Sequence, residues 1–239
     1  MDSSKMYKLS ELLAESVLLF DKPIGWTSFD LVKKIRGVLR DASGCKKIKI
    51  GHAGTLDPLA DGLLIVCTGK KTKTIDQIQA QEKEYTGIFC VGATTPSFDL
   101  ESEIDQKYPY EHINRELIES VLPTFTGTLQ QIPPQFSAVK VKGKRAYDYA
   151  RQGEEVKIEP KTISIYHFSI DKIELPNLYF TVRCSKGTYI RSLARDFGKA
   201  LNSGAHLAAL RRTKIGDYKV EDAVDPLSFE FENDLNTDA

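Results

Sequence analysis

The stretch Gly51-His52-Ala53-Gly54-Thr55-Leu56-Asp57-Pro58-Leu59-Ala60-Asp61-Gly62-Leu63-Leu64 constrains this chain more than any other. Its first two glycines admit backbone conformations that other residues resist, so His52 to Thr55 reads as a tight, irregular loop. Pro58 fixes its own φ and biases Asp57 toward an extended shape. Just beyond, the apolar run Leu63 to Cys67 reads as a buried strand. Asp57 is therefore a carboxylate on a stiff hinge ahead of a core strand. Such a group serves as a nucleophile or a general base, or it closes an ordinary Asp-Pro turn.

A chain of 239 residues with 41% hydrophobic and 28% charged content has the make-up of a globular protein with ample core. No run approaches the roughly eighteen apolar residues of a membrane span, and Met1 to Lys8 is polar. Neither a transmembrane segment nor a signal peptide is expected. Cys45, Cys67, Cys90 and Cys184 show no close pairing and read as reduced thiols of a cytoplasmic protein.

The formal net charge is zero, but its distribution is uneven. Residues 221–239 carry seven acidic residues and no Lys or Arg, which leaves 33 basic against 26 acidic residues over 1–220, a net of +7. The cations cluster at Lys33, Lys34, Arg36, Arg40, Lys46, Lys47 and Lys49; at Lys70, Lys71 and Lys73; at Lys140, Lys142, Lys144 and Arg145; and at Arg211, Arg212 and Lys214. A basic body with an acidic tail suits a polyanion ligand, and solvated faces are the alternative.

Along the chain, residues 8–15 predict a short helix and Val17 to Phe20 a strand. Thr27 or Ser28 can cap a helix whose apolar stripe is Phe29, Val32, Ile35 and Leu39, leaving a basic face. Lys47 to Ile50 alternates like a strand. Gly62 to Gly69 fails the phosphate-loop pattern, since six residues separate the glycines and Lys71 replaces the required Ser or Thr. Thr74 to Gln81 predicts a helix, Glu84 to Ala93 a strand, and Thr94 to Tyr110 a long polar loop, mobile without a ligand. Asn114 to Leu122 reads as a helix stopped by Pro123. Gln131 to Phe136, with its two prolines, is read as lying outside any sheet. Then come Ser137 to Val141, a Lys-rich turn at Gly143, and a helix through Tyr147, Tyr149 and Arg151. Basic residues interleaved with tyrosines suit an arm that grips RNA, or an ordinary hairpin and helix. Thr162–Leu175 and Leu178–Cys184 form a strand pair, followed by a helix from Tyr189 to Leu201, the segment His206–Arg212 and a last strand near Tyr218. Helices and strands mix without regular alternation, which predicts the α+β class.

No metal-binding pattern is present, and His52, His112, His167 and His206 are scattered. A dinucleotide fingerprint and a serine nucleophile elbow are also absent. What remains is an ordered set of segments: Asp21-Lys22-Pro23-x-Gly25, the Gly51–Ala60 stretch, Lys83-x-Tyr85, Ile132-Pro133-Pro134, Tyr149-Ala150-Arg151-Gln152-Gly153, Cys184-Ser185-Lys186-Gly187-Thr188-Tyr189-Ile190-Arg191, and Gly204-Ala205-His206 with Leu210-Arg211-Arg212. Taken together they closely resemble the bacterial tRNA pseudouridine synthase B (TruB) family, over roughly residues 17–220.

The resemblance implies a pseudouridine synthase fold: a central mixed, mainly antiparallel sheet flanked by helices, with an RNA-gripping arm. It implies isomerisation of uridine to pseudouridine at position 55 in the T-loop of tRNA, by base flipping and without a cofactor. By the match, Asp57 is the catalytic carboxylate, attacking uracil or the sugar or abstracting a proton. Tyr85 would stack on the target base, a part in proton transfer being open, and Arg191 would pair with Asp57. Tyr189 and Leu210 would line the pocket, His52 would wedge into the RNA, and Lys22, Lys73 and Arg151 would contact phosphates. The helical period keeps Tyr189 and Arg191 off one helix face, which places the pair at a strand-to-helix junction. Asp61 departs from the family pattern and adds negative charge near Asp57. Residues 1–220 are expected as the catalytic domain and 221–239 as an acidic tail, with no room for the small C-terminal RNA-binding (PUA) domain of many members. The expected partner is the T-arm stem-loop of tRNA, bound with steep salt dependence by a monomer that needs no protein partner and no membrane.

Overall fold

The structure, a computed structural model, describes residues 6–235. The start of the polar N-terminus (1–5) and the end of the expected acidic tail (236–239) lie outside the described residues. Eight strands of three residues or more occur among the described residues: β1 (Glu15–Lys22), β2 (Ile50–His52), β3 (Ala60–Gly69), β4 (Lys83–Val91), β5 (Gly127–Gln131), β6 (Lys161–Glu174), β7 (Asn177–Cys184) and β8 (Ala205–Ile215). The α-helices are α1 (Leu9–Ala14), α2 (Ser28–Ser43), α3 (Ile75–Ala80), α4 (Arg115–Val121), α5 (Ala146–Ala150) and α6 (Ile190–Ala200). The class is α+β with mainly antiparallel strands, as the mixed pattern predicts. The chain forms two compact units, one of residues 1–83 and 211–239, the other of residues 84–210.

In the first unit β3 pairs antiparallel with β1 and with the short β2. β3 is apolar from Leu63 to Cys67, where both its faces are covered. Leu64 and Val66 pack with Leu18 and Phe20 of β1, Leu9 and Leu12 of α1, and Leu31, Val32, Ile35 and Leu39 of α2. Leu63, Ile65 and Cys67 face Ala53, Ile78, Ile215 and Val220 instead. Each Leu, Ile, Val and Phe among them contributes about 1.5–3 kcal/mol by leaving water. Thr27 caps α2 in a reciprocal capping box with Asp30, and Gly44 closes it in the left-handed conformation. That cap sets the helix phase. Leu31 rather than Phe29 completes the buried stripe, and Phe29, about 100° from the middle of that stripe, is 62% exposed. The strand expected at Lys47 starts instead at Ile50. The acidic C-terminal segment packs here through its phenylalanines: Phe229 meets Phe20 edge-on at 5.2 Å, and Phe231 bridges to Tyr7.

In the second unit β6 pairs with β7 on one side and β5 on the other, all antiparallel. Phe89, Phe125, Phe168, Phe180 and Phe197 form one aromatic cluster, with Phe89 stacked on Phe180 at 4.0 Å and Phe197 of α6 edge-on to Phe168 at 5.2 Å. Two expectations change. Gln131 is the last residue of β5 and lies inside the ladder, opposite Lys161; Ile132 to Phe136 leave the sheet as expected. The Thr94–Tyr110 loop is an organised turn. Thr94 and Ala93 pair with Gln106 and Lys107, the Thr95 hydroxyl donates to the Asp99 carbonyl at 2.6 Å, and Phe98 accepts from the Leu207 amide at 2.9 Å.

Candidate active site

In the first unit the Asp57 loop is held from both ends. The Leu56 amide donates to Ser28 Oγ at 2.8 Å, at the start of α2, and the Gly25 amide donates to the Pro58 carbonyl at 2.8 Å. The Ala60 amide closes the Asp-Pro turn on the Asp57 carbonyl at 3.0 Å. From below, Arg212 is 1% exposed and spends its guanidinium on backbone: Nε to the Leu63 carbonyl at 2.8 Å, Nη2 to Gly54 at 3.1 Å and Nη1 to Thr55 at 3.4 Å. Gly54 has φ +101°, and Gly62, at φ +97°, has the Arg212 backbone where a Cβ would sit. The carboxylate is half-buried on a loop that is fixed by its neighbours.

Lys22 differs from its expected role. It is fully buried and its ammonium donates to the carbonyls of Pro23 at 2.9 Å and Trp26 at 2.7 Å. It therefore holds the turn beside the loop and is not presented to a phosphate. Burial lowers its pKa, opposed by the nearby carboxylates of Asp61 and Asp57. Asp61, whose charge stood out in the sequence, is taken up by Arg211, which also holds Asp21; the distances are 3.1 and 2.6 Å. Lys73 is exposed on a 3-10 turn, where a phosphate can reach it. His52 lies half-buried in β2, and burial pushes its pKa below the ordinary value of about 6.5. The unfolded chain takes up the proton first, so His52's share of stability holds above about pH 6.5 and is lost as pH falls through that value. Urea midpoints measured at pH 7.5 and 5 are expected to fall less for His52→Gln than for the wild type.

In the second unit Tyr85 is buried on β4. Its strand starts where the buried Lys83 ammonium caps the end of α3, donating to the Gln79 and Gln81 carbonyls. Tyr189 is the N-cap residue of α6 and Arg191 its second residue, so the pair does stand where the chain enters a helix from β7. Leu210 is half-buried on β8. Arg191 is buried and held by Asp99, Nε to Oδ2 at 3.6 Å, with further bonds from Nη1 to the Ser97 carbonyl at 3.4 Å and from Nη2 to the Phe136 carbonyl at 3.0 Å. Asp99 is the residue that sequence reasoning missed, because it lies in the polar loop. Replacing Asp99 by Asn removes the carboxylate 3.6 Å from the buried guanidinium; if Arg191 serves the reaction, turnover is expected to fall about 10- to 100-fold through its misplacement. Single-turnover rates at saturating RNA check this.

The basic hairpin and helix form, with two-residue strands at Lys140–Val141 and Lys144–Arg145 leading into α5 and Tyr147 and Tyr149 half-buried. Its cations lie over its own tyrosines, Lys144 Nζ 4.5 Å from the Tyr149 ring and the exposed Arg151 5.0 Å from that of Tyr147. Among the described residues no three His, Cys, Asp or Glu side chains gather as a metal site requires, and no helix is long and apolar enough to cross a membrane.

Comparison with known proteins gives this geometry a family. The N-terminal domain of TruB family pseudouridylate synthases matches residues 40–190, and the tRNA pseudouridylate synthase B C-terminal domain matches residues 191–230. The tRNA pseudouridine synthase B of Flavobacterium johnsoniae is 58% identical over 221 residues, covering 92% of this chain and 96% of the relative. That of Parabacteroides distasonis is 58% identical over 216 residues, covering 90% and 92%. A chain of the solved Cbf5-Nop10-Gar1 complex superposes with a TM-score of 0.67 at 28% identity; 90% of this chain spans 53% of that one, about half its length. The fold is that of the pseudouridine synthases, and the chain belongs to the TruB family of pseudouridylate synthases.

Proposed function

We propose that this enzyme, a tRNA pseudouridine synthase by its family, acts on the uridine at position 55 in the T-loop of tRNA, as a monomer without a protein partner or cofactor. The target base must leave its stack before its glycosidic bond can be reached. In this reading the N1–C1′ bond breaks, the uracil turns, and C5 bonds to C1′. The C5 proton leaves to solvent and N1 gains one, so the reaction is an isomerisation that consumes nothing. Asp57 is the reacting carboxylate, Tyr85 receives the uracil ring, Tyr189 and Leu210 are apolar walls, and Arg191 supplies fixed positive charge. Lys73 and Arg151 meet phosphates, and His52 enters the RNA. Residues 1–220 carry the reaction.

The observation that supports this reading most is the reach of the likeness, 92% of this chain against 96% of a relative called tRNA pseudouridine synthase B. The test is a T-arm stem-loop RNA tritiated at C5 of its uridines. Release of one tritium per RNA is expected, abolished when the target uridine is replaced by cytidine, and naked full-length tRNA is expected to react without added protein. Tight binding with no release would make the chain an RNA-folding protein instead.

A further inference from the structure

Gln131 closes the last rung of β5 and is 4% exposed. Its side-chain amide grips the backbone of Tyr189 in both directions: Oε1 accepts from the Tyr189 amide at 2.8 Å, and Nε2 donates to the Tyr189 carbonyl at 3.1 Å. A primary amide in that pose reproduces the reciprocal pair of bonds between antiparallel strands, so it fixes Tyr189 as a strand partner would. The next residues continue the attachment. The Ile132 carbonyl accepts from Ser192 Oγ at 2.9 Å and from Arg195 Nη2 at 3.3 Å, and the Phe136 carbonyl accepts from Arg191 Nη2 at 3.0 Å. Pro133 and Pro134, both buried, stiffen the path between those anchors.

The same segment holds the root of the arm. The Ser137 carbonyl accepts from the Tyr147 amide at 3.0 Å. At the arm's far end Gln135 exchanges two bonds with the Val156 backbone, at 2.8 and 3.3 Å. Residues 131–137 are therefore one strap, with the arm on one side and the first turns of α6 on the other.

We propose that Gln131 is a positioning residue for the isomerisation: through this strap it sets the height of the first turn of α6, and with it the aim of Tyr189 and Arg191. The inference rests on the reading of those two residues as parts of the reacting site. A grip of the arm on RNA then reaches Arg191 through the Phe136 carbonyl rather than through solvent.

The test compares wild type, Gln131→Glu and Ser192→Ala by single-turnover tritium release at saturating T-arm RNA, with RNA affinity measured separately and rates taken per folded molecule. Gln131→Glu keeps the shape and the acceptor but loses the donor and sets a carboxylate against the Tyr189 carbonyl. The expected result is a rate lowered about 10- to 100-fold with affinity within about threefold, since a shift on the order of 1 Å at a reacting group costs that much. Ser192→Ala removes one hydroxyl, leaves the Ile132 carbonyl its Arg195 donor, and folds; a fall of about three- to tenfold is expected. Wild-type rates in the folded variants overturn the proposal, as does a loss confined to affinity. Should Gln131→Glu fail to fold, an unchanged rate in Ser192→Ala overturns it alone. Silence of the wild type itself would refute the assigned reaction instead, which keeps the two failures apart.

Discussion

Asp57→Asn is expected to abolish tritium release from C5-labelled T-arm RNA, by at least about 10³-fold, while RNA binding stays within a few-fold of wild type. The substitution keeps the size and planarity of the side chain and removes the charge, and with it the oxygen's power as nucleophile or base. The fold tolerates it because the loop is held by backbone: Leu56 on Ser28, Pro58 on Gly25 and Ala60 on the Asp57 carbonyl all survive. Buried Lys22 loses one neighbouring carboxylate but retains Asp61 and Asp30 within electrostatic reach, and both carbonyls that accept from its ammonium. A melting temperature close to wild type is therefore part of the prediction, and it separates loss of chemistry from loss of structure. Release by both proteins at similar rates would mean that another group carries the reaction.

How much of this was legible beforehand depended on whether the signal was local. The Thr27 cap, the glycine loop, the core strand at Leu63–Cys67 and the arm each announce themselves within a few residues, because caps, turns and short apolar runs are local physics. Lys22 and Arg212 did not. Both were counted as surface cations, one for phosphate and one in a basic cluster, yet both are buried on backbone carbonyls. Net charge says nothing about which way a side chain points. Strand alternation does carry part of that answer: Arg211 and Arg212 are adjacent on β8 and must face opposite ways, so one of them had to turn inward. Asp99 and Gln131 were beyond reach for another reason. Their partners, Arg191 and Tyr189, lie 92 and 58 residues away, and no short pattern records such a pairing. The phenylalanines of the acidic segment show the same gap, since composition marks 221–239 as charged while Phe229 and Phe231 anchor it.

The largest effect on stability is expected at Arg212→Met. Methionine fills much of the same buried volume, so the loss is chiefly polar. The Gly54 and Leu63 carbonyls, now receiving charged donors at 3.1 and 2.8 Å, are left buried without them. At about 1–3 kcal/mol for each stranded group the cost is about 2–6 kcal/mol. In a chain of this size that lowers the melting temperature by on the order of 10 °C. Arg212→Lys is expected to recover only part of it, because an ammonium cannot span three carbonyls that a planar fork reaches together. The loss falls on the loop that presents Asp57, so turnover at a temperature where Arg212→Met is still folded should drop further than the unfolded fraction explains. Calorimetry and single-turnover rates on the same samples check both halves. A variant that melts like wild type would mean that the glycine loop holds itself, and that the buried guanidinium is a passenger in the core.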